Sequence, residues 1–370
     1  MGKFLKWRAP YLDLSGYAAA SRGLVTAAET AGFFVQVKDR SRSLNLFGKG
    51  MGDEIVKEYV RLSQVAVPPD CPTVQMTVPD CFVEQRGRKI GVSFFEMTTV
   101  PPQWVPFCNR MDQMWTGTSY SRKSFLNSGV TAPFHVVPCA IDFTRFNPEA
   151  KPWTIANRRA FAFVSVMDMT PRKAWKELLR AFWTAFDKDD DVCLVLKCYF
   201  GGFSATAQIG VARKIADWKK ELGFVDRAPL LLYMQDVPAA SMPGFYLACD
   251  CYAAIGREGF GLPHAEAMAC GLPCIGPEVG GTTDFMDETN SLLVEYEGDG
   301  PIDPEMLGIS GAFEDLQWAN HSWEDLAVKM HRMATDSALR KDLGAKGMAT
   351  VRERLSFETV GKRIAELLED

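Results

Sequence analysis

Gly256-Arg-Glu-Gly-Phe-Gly-Leu-Pro-His-Ala-Glu-Ala-Met-Ala-Cys-Gly271 follows directly on the apolar run Cys251-Tyr-Ala-Ala-Ile255. Pro263 suits the first position of a helix and Gly271 its end, so a strand, a glycine loop and a short helix succeed one another. Such a helix start presents unpaired backbone N–H groups and a partial positive charge. Gly259 and Gly261 let a ligand come close to the backbone, and a diphosphate is a natural occupant. Glu258 stands in the loop and Glu266 about one turn inside the helix, so their carboxylates can reach opposite ends of one extended ligand. A carboxylate accepting two hydroxyl hydrogen bonds suits either a ribose diol or a sugar.

On both sides of this stretch, short β-rich runs alternate with helical stretches along the whole chain, the pattern of doubly wound α/β domains. In the first half the spacing predicts a strand near Phe4 to Leu14, then Ser15-Gly-Tyr17 and a helix closed by Gly32. Further strands are predicted at Phe33 to Val37, Thr73 to Val78, Lys89 to Phe95 and Phe134 to Val137, with a helix near Ser121 to Asn127. Asn147-Pro-Glu-Ala-Lys-Pro152 is polar, carries two prolines and reads as a linker. Beyond it come strands at Phe161 to Val166, Val192 to Cys198, Leu230 to Tyr233, Cys251 to Ala254 and Cys274 to Ile275, a Rossmann-type parallel sheet. Trp175, Leu178, Leu179, Phe182, Trp183 and Phe186 form one stripe of a core-facing helix. The predicted domains are 1–150 and 151–355, with Ser356 capping a terminal helix over 356–370.

At 370 residues, 47% hydrophobic and 24% charged, the chain has the composition of a two-domain globular protein. The net charge of -5 and the absence of a long basic run argue against a nucleic-acid groove or an anionic membrane surface as partner. Met1 to Pro10 holds no apolar segment of spanning or secretory length, so the chain is expected in the cytoplasm with no transmembrane segment. The ten cysteines form no paired Cys-x-x-Cys spacing and read as reduced thiols, most of them in apolar runs. Asp189-Asp-Asp191 has the spacing of a metal-binding Asp-x-Asp but falls between a helix and a strand, where a solvated turn is expected; no metal is predicted.

Two glutamates separated by seven residues in a Gly-Phe-Gly-Leu-Pro context resemble the donor-site motif of glycosyltransferase family 4, also described as glycosyl transferases group 1. Phe161 to Val166 followed by Pro171-Arg-Lys-Ala-Trp175 resembles the family's strand, turn and cation pair. Gly280-Gly-Thr-Thr-Asp284 resembles its glycine loop beside the sugar, and Asn290-Ser-Leu-Leu-Val294 the segment after it. Trp104-Val105, Trp115 to Phe125 and Val137 to Pro148 resemble the run of loop, helix and linker in the first half. The resemblance covers nearly the whole chain and implies the GT-B fold: two Rossmann-like domains facing each other across a cleft, the N-terminal one on the acceptor side, with terminal helices crossing back to the N-terminal domain. It implies a retaining, metal-independent hexosyltransferase that moves a sugar from a UDP- or GDP-sugar to a hydroxyl acceptor in glycan or glycoconjugate synthesis. The nucleotide-sugar is a co-substrate and no cofactor is implied.

By the same resemblance, Glu266 holds the nucleotide ribose, Glu258 sits near the transferred sugar, and Arg172 and Lys173 neutralise the diphosphate leaving group. Gly259, Phe260, Gly261, Leu262, Gly280, Gly281 and Thr282 line the donor, and Gly16 is a candidate for close approach to the diphosphate, with a plain turn as its alternative. The chain departs from the family pattern at Met167, where an arginine is frequent, at Ala174, where glycine is usual, and at Glu96, which replaces an acceptor-side histidine. Glu96 either binds a sugar hydroxyl or an amino-bearing acceptor, or simply caps a strand end. His264, between the two glutamates, reads as a packed helical histidine. A phosphorylase-like or epimerase-like enzyme of the same fold, a catalytically silent sugar-nucleotide-binding or scaffold protein, and a glucosyltransferase acting on DNA bases remain open from sequence.

Overall fold

The computed structural model describes residues 3–41, 52–200, 204–235, 237–307 and 313–369. The chain divides into two compact units, Met1–Phe143 with Arg352–Asp370, and Thr144–Val351.

The first unit holds a parallel sheet of β1 (Lys3–Ala9), β2 (Phe33–Asp39), β3 (Thr73–Met76), β4 (Lys89–Val92), β5 (Gln113–Thr116) and β6 (Phe134–Val136), in the order β2-β1-β3-β4-β5-β6. Its helices are α1 (Gly16–Thr30), α2 (Asp53–Ser63), the single turn α3 (Val105–Cys108) and α4 (Ser119–Asn127). β1 stops at Ala9, short of the Leu14 read from sequence, because Pro10 has no N–H for the ladder. The next two amides, of Tyr11 and Leu12, donate instead to the Asp39 carboxylate at 2.8 and 3.2 Å. Ser15 then caps α1 by accepting from the Ala18 amide.

The second unit is built on β7 (Phe161–Asp168), β8 (Val192–Tyr199), β9 (Leu230–Tyr233), β10 (Cys251–Ala253), β11 (Cys274–Pro277) and β12 (Leu292–Val294). They pair in parallel in the order β12-β11-β10-β7-β8-β9. The connecting helices are α5 (Trp175–Ala185), α6 (Ala205–Glu221), α7 (Met242–Leu247) and α8 (Leu262–Ala269). Trp175, Leu178, Leu179, Phe182 and Trp183 of α5 are all buried, as is Phe186 just past its end; each large apolar side chain so buried contributes about 1.5 to 3 kcal/mol. A two-stranded antiparallel ribbon follows, β13 (Tyr296–Pro301) with β14 (Gln317–His321), around the short α9 (Pro304–Leu307). The chain ends in α10 (Trp323–Thr335), α11 (Ser337–Leu355) and α12 (Phe357–Glu369), and α12 packs on α1 within the first unit. All ten cysteines are thiols rather than disulfides, nine of them buried. Among the described residues no helix is long and apolar enough to cross a membrane.

Candidate active site

In the second unit the strand order reverses between β7 and β10, and the loops leaving the carboxyl ends of those two strands are where an open α/β sheet offers a ligand crevice. The loop after β7 carries Arg172 and Lys173 in a single 3-10 turn, Pro171–Lys173. The loop after β10 carries Glu258. Residues remote in sequence therefore meet: the Lys173 ammonium lies 2.6 Å from Glu258 Oε1, and Arg172 Nη1 lies 3.6 Å from Oε2. The side chains of Glu258 and Lys173 are 11% and 13% exposed. Burial alone would raise the Glu258 pKa, but the charges of Lys173 and Arg172 outweigh it and hold the carboxyl below its ordinary value.

Ala174, where the family resemblance leads one to look for glycine, has φ 51° and ψ 37°. That left-handed conformation costs a non-glycine residue about 1 to 2 kcal/mol. It turns the chain from the cation pair into α5, so the pair is held on a strained corner.

Three loops are tied together by their backbones. The Arg257 amide donates to the Arg172 carbonyl, and Arg172 Nη1 donates back to the Arg257 carbonyl, each at 2.8 Å. The Gly281 amide donates to the Glu258 carbonyl at 2.8 Å. A Cβ on Gly281 would stand 2.5 and 2.6 Å from the carbonyl oxygens of Gly259 and Glu258, so no larger residue permits this approach. Thr282 is buried behind Gly261, and the Phe260 ring packs at 5.3 Å from Phe285. Gly261, at φ 95°, is the N-cap of α8, which Leu262 and Pro263 open.

Glu266 lies one turn into α8 and is half-buried; the Tyr246 hydroxyl of α7 donates to its Oε2 at 2.8 Å. His264 is fully buried, with Nε2 3.0 Å from the Ala254 carbonyl and its ring edge-on to Tyr252. Burial lowers its pKa, so it is neutral, donates through Nε2, and fastens α8 to the end of β10. Asp187, Asp190 and Asp191 accept backbone amides in an exposed turn.

Gly16 and Glu96 belong to the first unit. Gly16 is the exposed first residue of α1, and Glu96 follows β4 in a loop. Nearby, the Phe94 amide donates to the Tyr17 hydroxyl at 3.1 Å, and burial raises that phenol's pKa, with the Glu96 charge adding to the rise.

Two residues of the second unit escaped the sequence reading. Arg257, only 6% exposed, donates through Nε to the Ala319 carbonyl and through Nη2 to Asn320 Oδ1, both at 2.8 Å, and lies over the Trp318 ring. It joins the β13–β14 ribbon to the loop that carries Glu258. Its neighbour in the motif was the signal available; the ribbon was not. Tyr246 sits in the apolar run Phe245-Tyr-Leu-Ala-Cys249, which reads as core, and nothing in that run marks its hydroxyl.

The family model described as glycosyl transferases group 1 matches residues 158–303. Among curated relatives, the chain is 22% identical over 260 residues to a GDP-mannose-dependent monoacylated alpha-(1-6)-phosphatidylinositol monomannoside mannosyltransferase of Corynebacterium glutamicum, covering 68% of this chain and 60% of that one. It is 31% identical to a D-inositol 3-phosphate glycosyltransferase of Corynebacterium kroppenstedtii, over 55% of this chain and 44% of the relative. The chain thus spans less than two thirds of the length of these relatives. Its fold matches Anabaena Alr3699/HepE, solved in complex with UDP-glucose, at a TM-score of 0.66 and 14% identity over 99% of both chains. It also matches a structure from E. coli described as trehalose-6-phosphate bound with UDP-2-fluoro glucose, at a TM-score of 0.67 and 12% identity over 100% of this chain and 99% of that one. The chain thus has two parallel-sheet α/β units of the GT-B kind, and its segment 158–303, which spans the cation pair and both glutamates, is similar to the glycosyl transferases group 1.

Proposed function

We propose that this protein is a retaining glycosyltransferase that moves a sugar from a UDP- or GDP-sugar to a hydroxyl acceptor. The observation that carries the proposal is the cluster of half-buried Lys173 and Arg172 with buried Glu258 at the point where the strand order reverses, with Glu266 one turn into the adjoining helix. Two cations beside one carboxylate suit a ligand that is anionic at one end and rich in hydroxyls at the other. Glu266 accepts the ribose hydroxyls, Arg172 and Lys173 take the diphosphate, and Glu258 lies near the sugar.

In the reaction the bond from the anomeric carbon to the diphosphate oxygen breaks while the acceptor oxygen bonds to the same face of that carbon. The acceptor proton passes to the departing phosphate oxygen, so no side chain need serve as base. Negative charge grows on the diphosphate as the bond breaks, and preorganised cations stabilise it more in the transition state than before it. Arg172 and Lys173 fill the part that a divalent metal takes in other transferases. Ten cysteines present as thiols suit a reducing compartment, and we place the reaction in the cytoplasm. The names of the relatives, with GDP-mannose, phosphatidylinositol mannoside and inositol 3-phosphate among them, direct the choice of substrates.

The test is transfer from UDP-glucose and GDP-mannose to inositol-bearing acceptors in excess EDTA, with the anomeric configuration of the product read by NMR. Inversion at the anomeric carbon would refute retention. Loss of turnover in EDTA, restored by magnesium or manganese, would refute metal independence. Binding of the nucleotide with neither transfer nor hydrolysis would leave a silent binder.

A further inference from the structure

We propose that Tyr246 is a positioning residue for Glu266 and that it thereby sets the preference of the donor site for a ribonucleotide over a deoxyribonucleotide. The inference rests on the proposed role of Glu266 at the ribose. Tyr246 is fully buried on α7, with its ring among those of Phe146 and Tyr252 at 6.4 and 6.1 Å. That packing leaves its hydroxyl one position, 2.8 Å from Glu266 Oε2. Burial, reinforced by the Glu266 charge, raises the phenol's pKa well above its usual value, so the group stays a donor across the working pH range.

A glutamate on a helix has several rotatable bonds, and a half-buried one samples several rotamers unless something selects among them. A fixed donor on Oε2 does so. α8 itself is fastened by His264 to the Ala254 carbonyl, and Tyr246 extends that rigidity to the carboxylate. An ionised carboxyl has about four acceptor sites; Tyr246 holds one of them, and a vicinal diol needs two. The diol therefore meets an acceptor already oriented, and the binding that a free rotor would lose to ordering is kept. A deoxyribonucleotide lacks one of the two hydroxyls and gains less from that orientation.

The test uses the full chain and four probes: UDP, 2′-deoxy-UDP, GDP and 2′-deoxy-GDP, with affinities by calorimetry on wild type, Tyr246→Phe, Tyr246→Leu, Glu266→Ala and the Tyr246→Phe/Glu266→Ala double variant. Melting curves establish that each is folded. For the base that binds, wild type is expected to favour the ribonucleotide. Tyr246→Phe weakens ribonucleotide binding about fivefold to tenfold, as the need to order one more side chain on binding does, and shifts the deoxy form less than about twofold. The double variant is no weaker than Glu266→Ala. Tyr246→Leu, which also lacks the hydroxyl, supplies the same comparison if the phenylalanine variant does not fold. Should Glu266→Ala leave the ribo-to-deoxy ratio unchanged, the ribose role of Glu266 falls and this proposal with it. Should Glu266→Ala collapse the ratio while a folded Tyr246 variant keeps the wild-type value, the ribose role stands and the positioning role of Tyr246 is overturned.

Discussion

If the donor diphosphate binds Arg172 and Lys173 as proposed, Glu258 competes with it for the same two cations, and that competition can be measured. With Lys173 Nζ at 2.6 Å and Arg172 Nη1 at 3.6 Å from its oxygens, the gross attraction to Glu258 is about 6 and about 5 kcal/mol at an effective dielectric of about 20. Desolvation of the charges cancels most of that. Glu258→Gln removes the competing anion and leaves the two cations facing each other, so the free protein loses stability and gains appetite for an anion. If about 1 to 2 kcal/mol of the net interaction is recovered on binding, the nucleoside diphosphate binds about 5-fold to 30-fold more tightly to the variant. Turnover is expected to fall in the same variant by about 100-fold or more, because the proposed sugar site then lacks its carboxylate. The assay is titration calorimetry of UDP and GDP against both proteins at several salt concentrations, with steady-state kinetics in parallel. Equal or weaker diphosphate binding by a folded Glu258→Gln protein would show that the ion pair seen here is not displaced by ligand, and the assignment of the diphosphate to these cations would fall.

Three further outcomes follow from the same geometry. Lys173→Ala is expected to lower turnover about 100-fold to 1,000-fold while changing donor affinity far less, since the charge it meets grows only as the glycosidic bond breaks; a folded variant with near-normal turnover removes Lys173 from the site. Arg257→Lys is expected to destabilise the fold by about 2 to 3 kcal/mol in denaturant titrations, because an ammonium cannot make the forked contacts to Ala319 and Asn320, and unchanged stability would mean that the ribbon is held by other contacts. His321 is held neutral by burial and by the nearby Arg257 charge, its pKa pushed down from 6.5 to about 4. A depressed histidine takes its proton more readily in the unfolded chain, so the stability it permits is full above pH 6.5 and is lost as pH falls toward 4, by up to about 3 kcal/mol. Melting curves across that window should show the loss, and His321→Gln should reduce the slope; an unchanged slope would assign it to other groups.

What could be read in advance divides along a physical line. The order and type of the principal strands were legible because a parallel sheet covered on both faces demands near-continuous apolar runs, and Phe161 to Val166, Val192 to Cys198 and Leu230 to Tyr233 are such runs. The ends were less so: β1 stops at Pro10 and β7 runs on to Asp168, since strand ends depend on which partner edge is present to bond them. At the site, Arg172, Lys173 and Glu258 could be named because charged residues flanking glycines and prolines stand out against the apolar strands that carry them. The partners of those residues could not. Tyr246 and Arg257 act through groups that are remote in sequence, the carboxylate of Glu266 and the backbone of β14, and a buried hydroxyl or guanidinium looks the same in sequence whether it meets a partner or not. The β13–β14 ribbon was silent for a further reason: Tyr296-Glu-Gly-Asp-Gly-Pro301 carries two glycines and a proline in a strand, a composition that reads as a turn. It is held as a strand by Gln317–His321, across a register shift between Tyr296 and Gly298, and by Arg257 reaching into it from the loop that carries Glu258. A segment whose structure comes from such a tertiary contact leaves no local signature, and it is by that same contact that it reaches the residue next to Glu258.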